Sequence, residues 1–162
     1  MRKKTILLYI VSITSFILIQ APIFPAQSSN LLKCEFYIDL NWDFVGFGGT
    51  SPYSWIGYVE GDINGDLYVA LTGATFPAPG VELFTEDWGI LTEHGWINGT
   101  NKGKWTMANY KWVANGEVTY ACNEYAHLVG SRFQYRGTTT EFPVDPPTPV
   151  SGTGILHITH DK

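Results

Sequence analysis

The sequence predicts an all-β fold, a single antiparallel meander that closes into a barrel of eight or nine strands. Six Trp, nine Tyr and nine Phe occur beside 17 Gly, and aromatic residues suit pleated strands while Gly suits turns and bulges. After residue 30 the segments alternate between apolar and polar residues without a helical period. A meander of this size must close or stack to protect its edges. A two-sheet β-sandwich is therefore the alternative.

Residues 1–28 are expected to form a secretory signal peptide. Basic residues at positions 2 to 4 precede an uncharged apolar run, and Ala26-Gln27-Ser28 offers small residues where a signal peptidase cuts. An uncleaved N-terminal membrane anchor is the alternative, because the run approaches the ~20 residues that span a bilayer. Both interpretations place the rest of the chain outside the cytoplasm, secreted or at the cell surface. Residues 30–162 are then one β-barrel domain, long enough to bury its own core.

Alternation along the chain places the strands in order near 34–45, 53–63, 66–75, 81–92, 95–99, 104–114, 117–127, 129–137 and 153–160. Segments rich in Gly, Asn and Pro separate them. The proline-rich stretch 142–150 is expected to be an extended loop, because Pro lacks the N–H that a sheet interior requires.

The stretch 62–66, DINGD, has two interpretations, a calcium loop or a tight turn. A calcium loop of the EF-hand type needs Gly at its sixth position and Glu at its twelfth, where this sequence has Leu67 and Gly73. An Asn-Gly pair between two alternating runs is the preferred two-residue hairpin turn. We therefore predict a hairpin in which Glu60 faces Val69, and no metal site.

Asn115-Gly116 lies between two similar runs and predicts a second hairpin by the same argument. In this register Trp112 faces Thr119 and Tyr110 faces Ala121.

The two hairpins supply the predicted lining of a ligand cavity, namely Trp55, Tyr68, Tyr110 and Trp112. The surface of the first hairpin that carries Trp55 and Tyr68 is small and aromatic, and we expect it to face inward. Glu60 is then outside, because an unpaired acid in an apolar interior costs several kcal/mol; with the opposite face inward, Glu60 would be a buried carboxylate. A barrel of about eight strands is just wide enough to be filled or to hold one small ligand.

Two covalent features are also predicted. Cys34 and Cys122 are a candidate disulfide in an oxidising compartment, with two packed thiols as the alternative. Asn98 begins an N-x-[ST] glycosylation sequence in a stretch rich in turn residues.

Charge and motifs exclude some functions. A net charge of -5 and a pI near 5.2 argue against a nucleic-acid partner, which requires clustered Lys and Arg. The sequence contains neither a G-x-S-x-G nor an H-E-x-x-H motif. We accordingly predict no catalytic residue and no cofactor, and membrane contact only through an uncleaved N-terminal segment.

The sequence from WTMANYKWVANGEVTYACNEYAHLVGSRFQYRGTT through the proline loop to GTGILHI, about residues 104–160, resembles the small extracellular β-barrels of the allene oxide cyclase and dirigent type. In those proteins a long hairpin, an LVG-like strand and a Gly-rich closing strand complete the barrel. The resemblance implies a barrel with an apolar cavity and carries over no catalytic residue.

The predicted function is that of an exported β-barrel that binds a small or hydrophobic ligand without catalysis of its own. The alternatives are a cell-surface module that contacts protein or carbohydrate, and a cyclase-like or isomerase-like barrel enzyme. A pocket lined by Trp and Tyr favours the first function, a flat exposed row of aromatics the second, and a buried carboxylate beside a polar pocket the third.

Overall fold

The computed structural model describes residues 31–43, 51–141 and 149–160. Eight antiparallel strands form one meander, and pairing of the first strand with the last closes it into a barrel rather than a sandwich. The all-β barrel prediction is confirmed. The strands are β1 Leu31–Leu40, β2 Trp55–Gly61, β3 Gly65–Ala78, β4 Val81–Thr92, β5 Gly95–Thr106, β6 Lys111–Ala121, β7 Arg132–Thr139 and β8 Ser151–Thr159, with one 3₁₀-helix, η1 Asn123–Leu128, between β6 and β7.

Two predicted features lie outside the described residues: the signal peptide or anchor at 1–28, and positions 142–148 of the proline-rich loop. Within the described ranges, no helix is long and apolar enough to cross a bilayer.

Aromatic rings that lie over glycines of other strands fill part of the barrel interior. Side chains alternate between the two faces of each strand. A Cβ atom on Gly99 would lie 2.2 Å from the ring of Trp88. Cβ atoms on Gly137 and Gly152 would lie 2.7 and 2.8 Å from the ring of Trp112. The glycines therefore provide the space that the rings occupy.

The end of the barrel that carries η1 is closed by aliphatic side chains. Ile63, in the β2–β3 connection, and Leu128, in η1, are each only 1% exposed. Both belong to the apolar core together with Ile90, Ile97 and Ile158. We call this the η1 end; the opposite end of the barrel holds the β1–β2, β3–β4, β5–β6 and β7–β8 connections.

The β2–β3 hairpin forms near the predicted place but in another register. Residues 62–64 connect the strands, and Val59 pairs with Gly65, so the predicted pairing of Glu60 with Val69 is wrong. The reason is burial of Ile63, which a two-residue turn at Asn64-Gly65 would not place inside the barrel end.

This register differs from the predicted one by an odd number of residues, which turns one strand over relative to the other. Val69 pairs with Trp55 and faces inward, whereas Tyr68 lies on the outer surface. Glu60 is exposed, as expected.

The predicted turn at Asn115-Gly116 is wrong, because both residues lie inside β6. Gly116 is required there for close approach of β5, since a Cβ atom would lie 1.8 Å from the carbonyl oxygen of Thr100. The actual turn follows β5, and Tyr110 adopts a φ of 54° in it.

Three strand predictions change with this turn. The predicted strand 95–99 is the first part of β5. The predicted strand 104–114 is wrong, because it spans the end of β5, the turn at 107–110 and the start of β6. The predicted strand 117–127 ends at Ala121, and η1 takes the place of its last residues.

Cys34 and Cys122 are free thiols, so the predicted disulfide is not formed. Cys34 lies in β1, whose neighbours are β2 and β8, while Cys122 follows β6. Each thiol instead donates a hydrogen bond to a separate loop carbonyl: Cys34 to Ile63 at 3.5 Å and Cys122 to His94 at 3.4 Å. Burial raises the pKa of Cys34.

Gly116→Ala should lower the free energy of unfolding by at least ~2 kcal/mol, because the added methyl group meets a backbone oxygen that cannot rotate away. Gly73→Ala is the matched control: its Cβ would lie 3.0 Å from the hydroxyl of Thr85, a side chain that can move, and it should cost less than ~1 kcal/mol. Urea unfolding measures both. A loss at Gly116 no larger than that at Gly73 would contradict the placement of Gly116 in β6.

Candidate functional site

A cavity of about 80 Å³ lies inside the barrel at the end opposite η1. A water molecule needs roughly 10–15 Å³ of such space, so the cavity can hold several waters or a small ligand. Its walls are mostly apolar. Trp55, Trp105 and Trp112 line it together with Ile38, Leu71 and Phe84.

Glu86 is the most buried acid of this cavity. It points inward from β4 between Phe84 and Trp88 and is 5% exposed. The hydroxyl of Tyr135, on β7, donates a hydrogen bond to its Oε2. Burial raises the pKa of Glu86 to about 7, although the hydrogen bond from Tyr135 opposes this shift. Near neutral pH, Glu86 therefore exchanges between a neutral acid and a carboxylate.

Tyr135 and Asn101 complete the polar cluster around Glu86. Burial and the adjacent Glu86 raise the pKa of Tyr135 well above its ordinary value, so its hydroxyl stays protonated and acts as a donor. Asn101 is the cross-strand partner of Glu86 and lowers the pKa of both residues. Its Nδ2 and Oδ1 nevertheless lack a partner at hydrogen-bond geometry among the described residues. The amide dipole of Asn101 therefore acts on Glu86 and Tyr135 from nearby, without a formed hydrogen bond.

Glu82 is a second acid in the cavity wall. Burial raises its pKa, and its charge also raises the pKa of Glu86. All Lys and Arg side chains within the described ranges are exposed, and none lines the cavity. The two acids thus have no basic partner in the described part of the barrel interior.

Two more polar groups of the cavity wall have no hydrogen-bond partner among the described residues: Nε1 of Trp112 and Oγ1 of Thr139. Both side chains line the cavity, and each is 8% exposed. Native proteins rarely leave buried donors and acceptors unpaired, so such groups need a physical explanation. A ligand in the cavity could satisfy both.

Of the predicted cavity residues, Trp55 and Trp112 line the cavity, whereas Tyr68 and Tyr110 do not. Tyr68 lies on the outer surface because of the register of β2 and β3. Tyr110 is exposed in the turn between β5 and β6.

Five polar residues of the site were missed by the sequence prediction: Glu82, Glu86, Asn101, Tyr135 and Thr139. Glu86 had a readable signal, since it alternates with Phe84 and Trp88 along β4 and therefore shares their face.

The outer surface carries a separate groove of about 520 Å³ across β3 to β6. Tyr68 contacts Tyr53 and Trp96 there, with ring centroids 4.9 and 5.6 Å apart. Asn98 also lines this groove. The glycosylation candidate therefore lies in strand β5 and not in a turn, half-buried beside aromatic rings.

Comparison with protein families, curated proteins and solved structures gives no match to this chain. The resemblance to the allene oxide cyclase and dirigent type consequently stays a prediction.

The burial of Glu86 should make stability depend on pH. Because its pKa of about 7 in the folded protein is above the ordinary 4.5, the folded state keeps a proton that the unfolded chain loses between these pH values. This contribution to the free energy of unfolding is roughly 3 kcal/mol. It is fully present below pH 4.5 and is lost as the pH rises through 7. Glu86→Gln should therefore lose less stability than the wild type between pH 5 and pH 8, measured by urea unfolding.

Glu117→Gln, an exposed acid on β6, is the matched control and should keep the wild-type pH dependence. The same pH dependence in the Glu86→Gln variant as in the wild type would show that Glu86 is not a buried, protonated acid.

Proposed function

We propose that this barrel binds a small ligand in the cavity opposite η1, without catalysis of its own. The observation that supports the proposal is the composition of the cavity wall. Apolar rings offer buried contact area, while Nε1 of Trp112 and Oγ1 of Thr139, which have no hydrogen-bond partner among the described residues, can orient a ligand. A mainly apolar pocket with a few polar groups is the usual form of a small-molecule site.

The N-terminal pattern supports the further proposal that the barrel works outside the cytoplasm. Basic residues, an apolar run and Ala26-Gln27-Ser28 are the parts of an export signal. A ligand from the extracellular medium fits this location.

A second candidate is a surface module that contacts protein or carbohydrate. The outer groove favours it, because Tyr53, Tyr68, Trp96 and the exposed Tyr120 form an aromatic surface beside polar side chains. Aromatic residues supply large contact areas in recognition surfaces.

The third candidate is an enzyme, and Glu86 favours it, since an acid with a pKa of about 7 is suited to proton transfer. The other ionisable groups that influence Glu86 are Glu82 and Tyr135, and Tyr135 stays protonated. Binding requires only the cavity, which is why we propose binding.

Indole N–H resonances distinguish the cavity from the groove, because Trp105 and Trp112 line the former and Trp96 lines the latter. In ¹⁵N-Trp-labelled protein screened with small alcohols, acids and amines, a ligand should shift the signals of Trp105 and Trp112 and leave that of Trp96 in place.

Trp55→Ala should weaken binding of such a ligand about fivefold, because the variant loses one ring contact that contributes ~1 kcal/mol.

Tyr68→Ala is the matched control on the outer surface and should change affinity less than about twofold, since its ring is outside the cavity. Shifts confined to Trp96 and lost in Tyr68→Ala would contradict the cavity proposal and support the surface module. The absence of any shift across the screen would also contradict it.

A further inference from the structure

We infer that the ligand of the cavity is a small organic cation, an amine or quaternary ammonium that also carries a hydrogen-bond acceptor. The inference rests on the proposed function and specifies its ligand chemistry.

The charge of the cavity is the first argument. Glu82 and Glu86 both line it, and the six Lys and Arg of the described ranges are exposed outside it. Buried charges in proteins are normally paired. A cation between the two acids would supply the charge that the described residues do not.

The aromatic walls are the second argument. The side chains of Trp55, Trp105, Trp112 and Phe84 border the same space as the two acids. The face of an aromatic ring attracts a cation, Trp most strongly, and rings grouped around one position select quaternary ammonium ions. Apolar ligands would also pack against these rings, but they would supply no positive charge to two acids that have no basic partner among the described residues.

The unpaired polar groups are the third argument, and they are independent of charge. The indole N–H of Trp112 is a donor only, and the hydroxyl of Thr139 can donate or accept. Neither has a partner among the described residues, and both are more than nine-tenths buried. A hydroxyl or carbonyl oxygen on the ligand would satisfy them.

Protonation of Glu86 should then be coupled to binding. Glu82 on the same strand, Tyr135 on β7 and the amide of Asn101 on β5 are the charged or polar groups that influence Glu86. Burial holds the pKa of Glu86 at about 7 in the free protein, whereas a bound cation favours the carboxylate. Binding of a cation should release a proton, and affinity should rise from pH 5.5 to pH 8.

Choline and 3,3-dimethylbutan-1-ol provide a direct test, because they have the same shape and the same hydroxyl and differ in charge. Titration calorimetry and the indole resonances of Trp105 and Trp112 measure binding of each at pH 8. We expect choline to bind at least about tenfold more tightly than the neutral alcohol, from ring and charge contacts together. Choline affinity should fall at pH 5.5, whereas that of the alcohol should not.

Three single variants assign the effect to the cavity. Glu82→Gln and Glu86→Gln each remove one acid without changing shape, and each should weaken choline binding about tenfold while leaving the alcohol within about twofold. Glu117→Gln removes an exposed acid on β6 and should bind both compounds as the wild type does.

The outcomes separate the inference from the proposed function. Equal or tighter binding of the alcohol, with shifts at Trp105 and Trp112, would overturn the cation inference and retain a ligand-binding cavity. Choline binding that is unchanged in both acid variants would overturn the inference too, since it would place the cation elsewhere. If neither compound binds and the wider screen also shifts neither indole, both proposals fail.

Discussion

The packing of aromatic rings over glycines determines the rest of this structure. Eight strands enclose an interior that side chains can just fill. Trp88 and Phe133 stack there with ring centroids 3.9 Å apart, and Trp88 can take this position because Gly99 has no side chain. The stack and the aliphatic residues near η1 fill the barrel on one side of Glu86. The cavity lies on the other side of Glu86, at the opposite end of the barrel.

The position of Glu86, between this packed interior and the cavity, is unfavourable for stability alone. A buried carboxylate costs free energy, and the hydrogen bond from Tyr135 offsets only part of the cost, since the pKa remains near 7. Glu82 increases the cost by repulsion. Proteins commonly depart from good packing rules at functional sites. Glu82 and Glu86 have no basic partner in the described interior, and polar groups of Trp112 and Thr139 have no hydrogen-bond partner among the described residues. These departures coincide with the cavity.

Local patterns predicted the elements of the barrel better than their register. Alternation of apolar and polar residues predicted the strand 81–92, which coincides with β4, and the need to protect strand edges predicted the closed barrel. Asn64-Gly65 and Asn115-Gly116 look alike locally, yet only the first pair borders a connection between strands. Gly116 is required by Thr100 of the neighbouring strand, and a single segment does not show such a contact. The partner of Glu86 is likewise remote, because Tyr135 lies 49 residues away in sequence.

Titration of the Glu86 side chain measures directly whether this acid is buried and protonated near neutral pH. The ¹³Cδ resonance of Glu86, assigned by comparison with Glu86→Gln, reports the charge of that carboxyl group alone. The structure predicts a midpoint near pH 7 in the free protein and a lower midpoint in saturating choline. A midpoint near the ordinary 4.5, unchanged by choline, would show that Glu86 is not a buried acid that lacks a basic partner among the described residues.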